Sequence, residues 1–172
     1  MFTSSQATQV IKLDRVEISA EPWRWEFAIA QRNEITRYFV HKKRKQPGLW
    51  NGQILLMHRY AISNRVLRGR CFTTEFANFL AWRDWNYPDP SIRDFFGAAG
   101  LCAADGAYLL GEMGLHTSNA GLCYFPCGTP EPPDLDIKRR VGSCRQFTTR
   151  TSRGDGNRIK RTAGRVRLDA SL

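Results

Sequence analysis

Glutamate runs out before the chain does. After Glu131 there is no further glutamate, and past Asp136 the only acids are Asp155 and Asp169, fourteen positions apart. A metal site built from clustered carboxylates therefore cannot be drawn from the C-terminal segment. Long apolar runs are absent too: none approaches the ~18 residues of a membrane span, so no membrane partner is expected. The opening stretch, MFTSSQATQVIKLDRVEIS, has no apolar centre flanked by bases, so a secretory leader is not expected and a cytoplasmic location is. Cysteine is scarce and odd in number, at Cys71, Cys102, Cys123, Cys127 and Cys144. Without an export signal these read as reduced thiols. Cys123 and Cys127 stand four apart, but no second pair or nearby histidine completes a zinc site.

What is present fits one ordinary domain with a real core. Of 172 residues, 42% are hydrophobic and 24% charged, which excludes collagen-like and wholly disordered classes. The net charge of +10 suggests nucleic acid until it is located. Residues 137–172 hold eleven Lys and Arg against Asp155 and Asp169, a net of +9, which leaves fifteen bases and fourteen acids, or +1, for residues 1–136. The basic character thus belongs to a tail.

Along the body, a short strand is expected at Val16–Ser19. A helical pattern from Glu21 to about Lys45 follows, with Trp25, Ile29, Ile35 and Phe39 on three- and four-residue steps and Arg32 as a polar break. The basic run His41–Lys45 reads as a solvated helix end, and Pro47-Gly48 stops it. Gln53–Tyr60 and Arg65–Phe72 read as a hairpin turning at Ser63-Asn64. Thr73-Thr74-Glu75 caps a short helix carrying Phe76, Phe79, Leu80 and Trp82. Strands are expected at Ile92–Ala103 and Ala107–Gly111, joined by Asp105-Gly106, and again at Gly121–Pro126. Helix, hairpin, helix and meander give an α+β class. Residues 137–172 have one aromatic, Phe147, and no sustained period, so composition reads them as a disordered basic tail.

Several strings in the body occur together in order: AADGAYLLGEMG at Ala103–Gly114, then HT, NAG, YFP and GTP, the last at Gly128–Pro130. On these, Phe72–Leu135 resembles the region that precedes the catalytic box in a bacterial branch of the Nudix hydrolases, and the resemblance extends over roughly residues 50–135. It implies an α/β/α sandwich, here incomplete, with residues 1–136 as a Nudix-like N-terminal portion. It also implies metal-dependent hydrolysis of nucleoside diphosphate derivatives, using Mg²⁺ or Mn²⁺ held by the box G-x5-E-x7-R-E-U-x-E-E-x-G-U. That pattern sets glutamates on one helical face, where hard cations find oxygen ligands and activate water. The box is absent from this chain. Glu112 and Glu131 are isolated, and Gly128 matches a turn glycine of structural use, so no catalytic or metal residue is assigned. A fold of that family continues past its box, so a truncated, poorly soluble body with unpartnered strands is expected.

The genetic code offers an origin for the tail. Read one nucleotide downstream, the residue pairs from Thr149-Arg150 to Asn157-Arg158 can spell R-E-L-A-E-E-T-G-I, which satisfies the second part of the box. Gly142 to Gln146 can spell D-L-A-G-S in the same frame. The earlier glutamate is not recoverable, since Val141-Gly142 permits only Leu, Ser or Trp. A frame slip between Asp136 and Gly142 would thus leave a patterned body and an unpatterned basic tail.

Three functional readings follow. One is a Nudix-type hydrolase by ancestry, frame-shifted and inactive, a pseudoenzyme whose intact relatives act on nucleotide-type substrates. Another is a non-specific nucleic-acid-binding protein acting through the tail, with salt-sensitive affinity and no interleaved aromatics for stacking. The third is a scaffold that keeps a ligand pocket, where Trp82, Arg83 and Trp85 meet a base or phosphate, with His116 and Asn119, in a loop beside Gly114, as further candidates. Against it stands the ordinary alternative, that the tryptophans are core, Arg83 is surface and the loop residues form turns.

Overall fold

A computed structural model of the chain describes residues 10–98, 100–114, 117 and 119–141, together with the backbone of 158–163. The architecture is α+β. Its main sheet has three strands in the order β1 (Arg15–Ala20), β3 (Val66–Glu75), β2 (Gln53–Ser63). β1 runs parallel to the central strand β3, and β2 pairs with β3 as an antiparallel hairpin. The hairpin turns at Asn64 and Arg65, both with positive φ (49° and 59°), the twist that a two-residue hairpin loop requires. Arg65 is not a residue that favours this region. It is held there by a bidentate pair to Asp14, at 2.8 and 2.7 Å, which also ties the turn to the entrance of β1.

Between β1 and β2 the chain forms α1 (Glu26–Ala30) and α2 (Arg32–Lys45). The single helix expected from Glu21 is therefore split. Residues 21–25 carry no helix, and Gln31, at φ −99° and ψ 13°, resets the phase between the two helices. Ile29 accordingly leaves the buried line and is 49% exposed, while Ile35 and Phe39 stay in it. α3 (Phe76–Asp84) forms where a short helix was expected, but Thr73-Thr74-Glu75 belong to β3 instead of capping it, and Glu75 at the N-cap makes no side-chain cap hydrogen bond.

Two layers of core grip the sheet. On one face Ile54, Leu56 and Phe72 pack against Trp25, Phe79, Trp82 and Ile92, and Ile35, Phe39, Leu80 and Ala81 seal α2 against α3. On the other face Ile18, Leu55, Met57, Leu67 and Cys71 meet Phe95, Leu135 and Val141. Gly69 belongs to that second layer. A Cβ there would stand 2.9 Å from Met57 Cε and 3.2 Å from Ile18 Cγ1.

The C-terminal half departs further from expectation. Among the described residues of Ile92–Ala103, only Gly97–Ala98 (β4) forms a strand, paired with Cys127–Gly128 (β7), with single bridges at Arg93 and Cys102. The segment is rich in Gly and Ala, which have little side chain to bury on a pleated surface, and Phe96 and Leu101 are exposed. β5 (Ala107–Glu112) forms as expected after the Asp105-Gly106 turn, with Gly106 at φ +82°. The strand expected at Gly121–Pro126 shrinks to Cys123–Tyr124 (β6).

Composition left residues 137–172 without regular structure, yet six of them form β8 (Arg158–Ala163) against the whole length of β5, from Ala107↔Ala163 to Glu112↔Arg158. An open strand edge satisfies any backbone laid along it, so pairing needs no apolar period. Lys138–Val141 are shaped as well. The Asp136 carboxylate accepts from the Lys138 and Arg140 amides, each at 2.8 Å, a side-chain-stabilised turn. The remainder of the tail, with Cys144 and Phe147, lies outside the described residues, as does the shifted box reading over 149–157. Among the described residues no helix is long and apolar enough to cross a membrane.

Candidate functional site

The aromatic pocket read from the sequence resolves into core. Trp82 is 3% exposed; its Nε1 donates to the Asp89 carbonyl at 2.9 Å, and its ring meets Trp25 and Tyr87 edge-on. Trp85 follows α3 and packs edge-on against Phe27 and Tyr38. Arg83 pairs with Asp84 at 3.0 Å and lies over the Phe79 ring. Asn119 belongs to a turn whose carbonyl accepts from the Leu122 amide. His116 lies outside the described residues. Among the described residues, Trp82, Arg83, Trp85 and Asn119 are each engaged in these separate contacts of the fold.

The described carboxylates, the ligand type that Mg²⁺ or Mn²⁺ would need, are dispersed into separate tasks. Burial pushes Asp84 up, but hydrogen bonds from Lys42, Tyr38 and Arg83 outweigh it and hold its carboxyl below the usual range. Asp89 binds Trp25 Nε1 at 2.9 Å and caps Ser91. Asp134 is buried and accepts from the Glu131 amide at 2.8 Å, closing the 3₁₀ turn Pro132–Asp134. Glu112 ends β5, and Gly128 sits in β7 opposite Gly97. Cys123 and Cys127 fall on β6 and β7, while burial pushes the Cys71 thiol up to about 12, an inert core group. Among the described residues no three His, Cys, Asp or Glu come together in a set that could hold a metal. The donor set does not fit a divalent cation that needs several oxygens.

One carboxylate departs from this pattern. Asp94 follows the bridge at Arg93 and faces the Gly128-Thr129-Pro130 turn, where Thr129 Oγ1 donates to it at 3.4 Å. Desolvation by burial raises it to about 6, against the smaller opposing pull of Thr129 and Arg83. A buried carboxyl with so long a hydrogen bond is a strained group.

Sequence reasoning missed a second constellation. The face of the sheet that α1–α3 cover at one end is, among the described residues, bare at the other. There a groove of about 760 Å³ runs over β1, β3 and β2, bounded by Asp136, Arg140 and Val141. Arg140 bridges to Ser19, Ser19 pairs with Arg70, and Arg70 pairs with Arg59. Residues in register share a face, so Arg140, Ser19, Arg70 and Arg59 make one row across the sheet. The next row is Glu17, Arg68 and Ala61, with Arg15 beyond. Glu17 takes Arg15 at 2.7 Å and Arg68 at 3.0 Å. Arg70 reaches Ser19 Oγ and stands 3.8 Å from Glu21. Arg140 pairs with Asp136 at 2.9 Å. At the border with the covered end, His58 Nε2 lies 3.0 Å from Glu21 Oε1, angled too poorly for a hydrogen bond. The His58 ring stacks on Trp23 at 4.1 Å and 13°.

No family model matches the chain, and no curated protein does.

Proposed function

We propose that this chain is a Nudix-type scaffold that lacks its family's metal-dependent hydrolysis: a hydrolase by ancestry and a pseudoenzyme in its present form. The ordered strings over Ala103–Pro130 support the ancestry. The mixed sheet with helices on one face is compatible with an incomplete sandwich of that kind. The observation that carries the loss of chemistry is the fate of the carboxylates. Asp84, Asp89, Asp94 and Asp134 are each held in a separate contact of the fold, and the segment beyond Asp136 supplies only Asp155 and Asp169. Among the described residues Mg²⁺ or Mn²⁺ has no set of three such ligands to occupy, and no step is routed through it.

Incubating the purified chain with a panel of nucleoside diphosphate derivatives and either metal should release no phosphate or nucleoside monophosphate above a mock preparation. Release above that level would end the proposal. The coding DNA tests the origin separately: codons 149–158 must give R-E-L-A-E-E-T-G-I one nucleotide downstream.

A second reading, non-specific nucleic-acid binding through the tail, is favoured by the division of charge into +9 and +1. Deleting residues 137–172 should then abolish retention on immobilised nucleic acid, and unchanged retention would remove this reading.

A further inference from the structure

The arginine face is a site in its own right, whatever the ancestry of the fold and whatever the tail does. We propose that it binds a single-stranded nucleic acid, with phosphates along the Arg140–Arg70–Arg59 row and a base stacked on Trp23.

Three observations carry this. First, Arg59 and Arg70 stand directly opposite each other on β2 and β3, a placement that costs stability between like charges unless an anion lies beside them. Arg70 has Ser19 and Glu21 as partners, whereas Arg59 is exposed beside the groove. Second, the cations are spread rather than convergent. At ~4.8 Å per strand the row from Arg140 to Arg59 spans roughly 14 Å, and Arg68 and Arg15 extend it along the strands. An extended chain of phosphates meets such an array, while a single phosphate would use one corner of it. Five arginines against Glu17 and Asp136 leave the groove at +3. Third, an aromatic platform adjoins it. Trp23 is 49% exposed although one ring face lies on His58. Glu21, within 3.0 Å of His58 and 3.8 Å of Arg70, joins the platform to the row. A cationic groove beside an exposed aromatic is how proteins hold single strands without reading sequence. Arg139 and Arg140 run along the outer edge of β1, so a further cation borders the groove beside the row.

The test is fluorescence anisotropy of a labelled oligo(dT) strand with the full chain, tail included, across a range of salt. Each phosphate contact contributes about 0.7 to the slope of log affinity against log salt for single strands. R59Q/R70Q should therefore lower the slope by about 1.4. W23A should weaken binding about tenfold, the order expected for one lost base stack. R24Q/R37Q removes two exposed cations elsewhere at equal net charge and should change neither quantity. If the double variant melts early, R59Q alone, at an exposed position, should lower the slope by about 0.7. Indistinguishable behaviour of R59Q/R70Q and R24Q/R37Q would overturn the proposal and leave binding to the tail. So would equal displacement by inorganic phosphate at matched ionic strength, tighter binding of a duplex, or capture by anionic lipid vesicles without retention of the strand.

Discussion

One face of the β1–β3–β2 sheet carries two different surfaces. At one end Ile54, Leu56 and Phe72 are roofed by Trp25, Phe79 and Trp82. At the other, the same alternation of side chains presents Arg59, Arg68 and Arg70 to an open groove. Period-two patterning sends residues to a face, but it does not decide whether the face is buried. The helices decide that, and α1, at five residues, and α3, at nine, roof only the end nearest to them. The comparison separates what holds the body together from what it can offer to a partner.

The sharpest way to break it is to remove the roof. Trp82→Ala deletes a buried indole that also donates to Asp89, and core losses of this size cost about 3–5 kcal/mol. For a body of marginal stability the expected outcome is loss of a cooperative melt by near-ultraviolet circular dichroism. A melt shifted by only a few degrees would mean that the roofed end is not the centre of stability.

Next in size is Asp94, a charge held where the bare end would have kept it in water. Its folded value, about 6, lies above the ordinary carboxyl value of about 3.9. A raised folded value favours the protonated form in the native state. Its stabilising contribution is thus full below pH ~4 and is lost as pH rises through about 6, a difference on the order of 3 kcal/mol. Asp94→Asn should raise stability at neutral pH and flatten the dependence between those limits, as measured by denaturant titrations at several pH values. A variant that is less stable at neutral pH would show that the ionised carboxylate is needed, and the Thr129 contact with it.

How much of this was legible in the sequence follows from the same physics. The hairpin and α3 could be read because Ile54, Leu56, Phe72 and Phe79 are large, periodic and local to their elements. Ile92–Ala103 misled because its apolar letters are mostly small, and periodicity alone does not weigh how much surface a side chain can bury. The break at Gln31 was visible only as a polar residue out of step. β8 could not be read at all, since what orders it is the open edge of β5 rather than its own side chains. The arginine row was hidden for two reasons. Its members come from positions 19, 59, 70 and 140, joined only by strand pairing. Arg59 also reaches that face through a register shift between Met57 and Arg59. Unbroken alternation from Leu55 and Met57 would send it to the opposite, buried face, and a bulge re-aims it. The lack of glutamate after Glu131, by contrast, is a fact of the sequence that needs no fold to be noticed.

The smallest effect probes the bare end directly. Arg59 lies across from Arg70, and like charges placed directly opposite on a sheet destabilise it by roughly 0.2–1 kcal/mol. Arg59→Thr removes that repulsion and places a good strand former on β2. It should therefore raise the melting temperature by about 1–3 °C at low salt. The gain should shrink at high ionic strength, where the native pair is already screened. The opposite sign, a loss of stability that ignores salt, would mean that the Arg59 stem packs on the sheet and contributes through its methylenes. Arg59 would then belong to the covered kind of surface after all, and the division between the two ends would move by one row. A salt-dependent gain instead marks a position where the free protein gives up a little stability to keep a cation facing the groove.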